Sequence, residues 1–110
     1  MTAWVTQLRK GLVELCVLAV LRKGEAYGYQ IVDGLRTRRG LELTESTVYP
    51  VLSRLAKEGL LEVRTEASPS GPPRRYYRMT PASEKHYRQM TSQWKDIYHS
   101  LNGLIQGDGQ

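Results

Sequence analysis

The sequence has a single cysteine, Cys16, and only two histidines, His86 and His99. One thiol cannot close an intrachain disulfide, and one thiol with two imidazoles falls short of a structural zinc site. Cys16 sits in the apolar run LVELCVLAVL, which marks it as a small buried hydrophobe rather than a reactive thiol. That run is short and contains Glu14, so it cannot serve as a membrane span, which needs about 20 apolar residues. It also lies inside an amphipathic pattern with no cleavage-site signature, so a cytoplasmic protein with no membrane partner is expected. Catalytic signatures are missing too. There is no glycine-rich phosphate loop, no Ser/His/Asp arrangement at recognisable spacing, no metal cluster and no pair of carboxylates on an apolar background. Neither an enzyme nor a cofactor is expected.

What the chain does have is positive charge. Lys and Arg outnumber Asp and Glu by 16 to 11, a net charge of +5. Such a surplus draws a protein towards phosphate polymers or acidic surfaces, although the same number also serves plain solubility. At 110 residues the chain is one domain by size, and a domain this small gains from the apolar burial a second copy would add.

Apolar residues Val5, Leu8, Leu12, Leu15, Cys16 and Ala19 recur at helical spacing and predict a first helix over residues 5–21. After GEAYG, Ile31, Val32 and Leu35 predict a second over about 29–38, stopped by Gly40. The third is the segment ESTVYPVLSRLAKEGLLEV: Val48, Val51, Leu52 and Leu55 face inward, and Leu41 or Leu43 fills the space between helices. Thr44 or Ser46 can cap this helix and Gly59 can end it in the left-handed conformation. Pro50 favours a late start or a loosened first turn, because an early start would remove an intrahelical bond.

Directly after Gly59 an apolar strand begins, and a second reads RYYRM over residues 75–79. ASPSGPPR between them forms a loose hairpin tip. Thr80 or Ser83 caps a last helix, which has Pro81 in its first turn and runs to about residue 104. A helix running through one glycine into a hairpin is how a winged helix-turn-helix joins its recognition helix to its wing. The expected fold is mainly α with a small β-hairpin: a winged helix-turn-helix domain over residues 1–80, a dimerisation helix over 81–106 and a disordered tail over 107–110.

On the last helix Tyr87, Met90, Trp94, Ile97, Leu101 and Leu104 alternate by three and four, the spacing of a coiled-coil seam. A helix of about 24 residues is roughly 36 Å long, more than the three-helix unit can cover, so a homodimer is expected. Trp94 at the seam's centre admits two readings. It is either an ordinary packing residue or, with its symmetry mate, one wall of a slot lined also by Ile97, Tyr98, Trp4 and Leu8 and open to a planar aromatic or phenolic effector.

A helix fits the major groove of double-stranded DNA, with flanking groups on phosphates. Candidate DNA contacts are Ser46, Thr47 and Tyr49 at the leading end of the third helix, Arg54 and Lys57 further along, and Arg74 and Arg75 on the wing. Capping, packing or a solvated charged face are the plainer roles for the same residues. A winged helix that acts as a protein-interaction module, without direct DNA binding, is the alternative function.

The pieces LRKGLVELCVLAVL, AYGYQIVDGL, TESTVYPVLSRLAKEGLL and RRYYRMT, in that order, resemble the PadR family of bacterial transcriptional regulators, from the start of the first helix to Trp94. TVYPVLSRLAKEGLL is the most specific piece, with Val48 where Leu is usual and Ser46 where Gly is frequent. The resemblance implies a homodimeric repressor on a roughly palindromic operator, released by a small-molecule inducer. It assigns DNA contact to Thr47 and Tyr49, wing contact to Arg74 and Arg75, and dimer contact to the last helix. Trp94 matches a pore-flanking tryptophan of the short, multidrug-sensing members.

Overall fold

The first helix, α1 (Ala3–Leu21), turns a different face inward from the expected one: Val13, Val17, Leu18 and Leu21 enter the common core, whereas Val5, Leu12, Leu15, Cys16 and Ala19 are only half-buried and Leu8 is exposed. Apolar residues ring this helix, and spacing alone does not choose among them. A computed structural model describes residues 3–107. The second helix, α2 (Gly28–Arg36), adds Ile31, Val32 and Leu35, and the third, α3 (Glu45–Lys57), adds Val48, Leu52 and Leu55. Leu43 plugs the space between α2 and α3, while Leu41 is half-buried beside it.

Two of the expected helix bounds need correcting. The second helix ends at Arg36 rather than near residue 38, because the Thr37 hydroxyl donates to the Asp33 carbonyl at 2.9 Å and closes the last turn. Nor does α3 start late or loosely. Thr44 is its cap, and the Thr44 carbonyl accepts from the N–H groups of both Thr47 and Val48 at 3.0 Å. Pro50 therefore lies inside the helix and leaves the Ser46 carbonyl without its intrahelical donor. Both residues are exposed, so water can replace that donor at small cost. Gly59, at φ 76°, ends the helix in the left-handed region.

The hairpin is β2 (Leu61–Glu66) against β3 (Arg74–Met79), in register from Leu61 opposite Met79 to Glu66 opposite Arg74. A strand that the sequence reading missed, β1 (Ala26–Tyr27), pairs with the other edge of β3, so the order is β1-β3-β2. Two residues are too few to show an alternating pattern. Leu61 and Tyr77 bury the inner face of the sheet against the helices.

The last helix, α4 (Pro81–Gln106), begins with reciprocal bonds: Ser83 N–H donates to the Thr80 hydroxyl, and Thr80 N–H to the Ser83 hydroxyl. Ser83 is fully buried and fully bonded there. Tyr87 and Met90 pack on the core, and beyond them α4 leaves it, stretching the molecule to 60 Å against 33 and 21 Å in the other directions. Gly107 closes the helix at φ 78°; the rest of the expected tail, residues 108–110, lies outside the described residues.

Candidate nucleic-acid interface

Because α3 starts at Glu45, its tip carries three clustered hydroxyls. The Thr44 hydroxyl lies 3.0 Å from that of Ser46 and 3.4 Å from that of Thr47. They bond one another, and the Thr44 hydroxyl makes no capping bond to the helix's first N–H groups, while Glu45 places its carboxylate in the same first turn, where it favours the helix dipole. Ser46 is exposed at this tip, whereas Thr47 is half-buried on the flank that faces Arg9 and Lys10 of α1.

Tyr49 takes the opposite flank, towards the wing. A methyl group on Gly28 would meet the Tyr49 ring at 2.8 Å, so the absence of a side chain at Gly28 is what lets the ring lie against the start of α2. Burial, and then the neighbouring Glu45 and Tyr77, push the Tyr49 hydroxyl above its usual pKa. Like any tyrosine it is protonated at neutral pH, and it can donate to a phosphate oxygen.

Between Tyr49 and the wing runs a groove of about 510 Å³, with Tyr27, Gly28 and Tyr29 on one side and Pro72, Pro73, Arg74 and Arg75 on the other. Arg74 stacks its guanidinium over the Tyr27 ring at 4.8 Å. Deeper in the sheet the arginines are neutralised: Arg64 is held by Glu25 and Glu66, and Arg78 by Glu62 at 3.0 Å. Arg74 and Arg75 have no carboxylate partner among the described residues, so the wing's uncompensated charge is at its groove end.

The other two basic candidates lie apart from this groove. Lys57 closes the far end of α3, about 16 Å along the axis from Ser46. Arg54 spans Glu14 of α1 at 2.7 Å and Glu58 at 3.1 Å. The second oxygen of Glu14 meets His86 Nε2 of α4 at 2.6 Å, so one half-buried carboxylate ties three helices together. Burial pushes the Glu14 carboxyl up, but the hydrogen bonds and charges of Arg54 and His86 outweigh it and hold the group below its ordinary value. A depressed carboxyl contributes stability above its unfolded pKa and loses it as pH falls through the folded one. The stability gap between the wild type and Glu14→Gln is therefore expected to be widest at neutral pH and to shrink below pH ~4. Urea unfolding at pH 7 and pH 3 checks this, and an unchanged gap would remove the ion pairs as its cause.

On α4 the residues expected at a dimer contact split into two groups. Tyr87 and Met90 are half-buried against their own core, whereas Trp94, Ile97, Leu101 and Leu104 are 38%, 58%, 53% and 74% exposed. Of the residues expected at an effector slot, Trp94 and Tyr98 have ring centroids 5.9 Å apart, and Trp4, Leu8 and Ile97 stand on open surface. No described helix is long and apolar enough to cross a membrane, and no described cluster of His, Cys, Asp and Glu could hold a metal ion.

Sequence reading passed over Tyr27, Gly28 and Tyr29 as site residues. The available signal was a glycine between two tyrosines in AYGY, a position where a ring can approach a bare backbone.

Comparison with known proteins agrees with this geometry. Residues 17–89 match the family described as the transcriptional regulator PadR-like family. A PadR family transcriptional regulator from Eggerthella lenta is 33% identical, covering 94% of this chain and 89% of that one, with a TM-score of 0.81. A PadR-like transcriptional regulator from Bacillus cereus is 32% identical, covering 91% of this chain and 97% of that one, with a TM-score of 0.80. Bacillus subtilis PadR, solved in complex with operator DNA, is 26% identical, covering 73% of this chain and 47% of that one, with a TM-score of 0.67.

Proposed function

We propose, on the premise that this chain belongs to the transcriptional regulator PadR-like family, that it is a homodimeric repressor which grips a roughly palindromic operator and releases it on binding a small molecule. The observation that carries the DNA-binding part is the pair of uncompensated wing arginines, Arg74 and Arg75, across the groove from the Tyr49 hydroxyl. In this reading residues 1–80 form the reading head and residues 81–106 the dimerisation helix. Ser46 and Thr47 approach base edges or phosphates at the tip of α3, Tyr49 donates to a phosphate, and the strand backbone passes between α3 and the wing. Lys57 adds charge at the far end of α3. Arg54 contributes through the Glu14 contact, which fixes how α3 sits on α1.

Dimerisation is supported by the apolar residues that α4 leaves uncovered beyond Met90. Two copies meeting there would bring Trp94 and its symmetry mate together. An aromatic or phenolic effector could then enter between them, against Ile97, Tyr98, Trp4 and Leu8. A regulator of this kind works in the cytoplasm, with no cofactor and no chemical reaction of its own.

The test is fluorescence anisotropy of the purified protein on the DNA upstream of its own gene, titrated with salt. Log affinity is expected to fall linearly with log salt, and Arg74→Ala with Arg75→Ala to reduce the slope by about two. Binding indifferent to salt would sink the phosphate argument. No binding to any duplex would leave the fold as a protein-interaction module.

A further inference from the structure

A second cavity, of about 300 Å³, opens between α1 and α2 and shares no residue with the groove beside the wing. Its volume is at the lower end of the range for small-molecule sites, about 300–1,000 Å³. Its walls are apolar, with Cys16 and Val20 from α1, Leu35 from α2 and Leu41 from the loop that follows. Lys23 and Arg38 also line it, and neither has a carboxylate partner among the described residues.

The loop wall is held in place. Arg9 Nε donates to the Gly40 carbonyl at 3.1 Å and Arg9 Nη2 to Glu42 at 3.1 Å. Glu42 adopts φ 46°, a left-handed conformation that a side-chain-bearing residue rarely takes, and Leu41 beside it forms part of the cavity wall. Gly34 completes the lining from α2, and a methyl group added there would meet no atom within 4 Å.

We propose that this cleft binds an amphipathic organic anion, whose alkyl or aryl body lies on Val20, Leu35 and Leu41 and whose carboxylate or sulfonate meets Lys23 and Arg38. The apolar body gains by leaving water, and the head group finds two cations that no carboxylate among the described residues neutralises. Neutral amphiphiles lack the second interaction, and cationic ones are repelled.

Cys16 supplies a site-specific readout, because it is the chain's only thiol and lines the cleft. Burial pushes its thiol up, so labelling with a maleimide at pH 8.5 is slow enough to time. Decanoate below its micelle concentration is expected to slow labelling at least ~5-fold, a protection that would correspond to most molecules being occupied. Decyltrimethylammonium is expected to leave the rate unchanged. Lys23→Ser with Arg38→Ser should abolish protection by decanoate. Gly34→Leu should do the same in a folded protein, since its Cβ meets no atom within 4 Å, its side chain enters the cleft, and it replaces a glycine inside a helix.

Equal protection by anion and cation, protection that survives Lys23→Ser with Arg38→Ser, or no protection at all would overturn the proposal. So would a labelling rate that falls with protein concentration in the absence of decanoate, which would mean that a second copy covers the cleft. None of these readouts involves DNA, so the site stands or falls independently of the repressor reading.

Discussion

Leu101→Asp combined with Leu104→Asp is expected to yield a folded monomer whose affinity for a palindromic operator is lower by at least ~100-fold. Both side chains stand more than half exposed on the part of α4 that no described element of the same chain covers, so their loss leaves the reading head's own contacts intact. In a dimer each leucine would be buried and contribute ~1.5–3 kcal/mol, and a carboxylate there would be desolvated without a partner. Once the copies separate, each head binds its half-site alone and the second contact is no longer intramolecular. Sedimentation equilibrium gives the mass and anisotropy the affinity, while circular dichroism confirms the helices. A double variant that remains dimeric, or that binds the operator as tightly as the wild type, would remove α4 as the interface.

Leu52→Ala should have the largest effect on stability, about 3 kcal/mol, because a fully buried leucine is replaced by a cavity that its surroundings fill only in part. Leu52 is in α3 and joins the core formed with α1 and α2. A domain of this size has ~5–15 kcal/mol in total, so the loss is a large share of it and should lower Tm by 10 °C or more. Unfolding of wild type and variant must be compared at one protein concentration, since association would stabilise both. A shift of a degree or two would mean that the core repacks around the missing side chain.

Much of this molecule was legible before its structure. Val48, Val51, Leu52 and Leu55 recur at the helical period, and that recurrence placed the inner face of α3, with Val51 half-buried at its edge. Gly59 announced the end of the same helix because few other residues take positive φ cheaply. Harder to read were features whose cause lies elsewhere in the chain. Strand β1 exists only because Ala26 and Tyr27 find the free edge of β3, some fifty residues on. The early start of α3 depends on Thr44, whose carbonyl takes two donors and steadies the turn that Pro50 weakens.

The arginines show where the boundary falls. By itself the sequence determined the inner faces of α2 and α3, that a hairpin follows the third helix, and to which family the chain belongs, since periodicity, turn chemistry and motif spacing are local properties. Only the tertiary structure decided which cations remain available: Arg54 is tied to Glu14, forty positions away, and Arg64 to Glu25, whereas Arg74 and Arg75 have no carboxylate partner among the described residues. An ion pair forms where packing angles bring two groups within a few ångströms, and spacing along the chain carries no information about that distance.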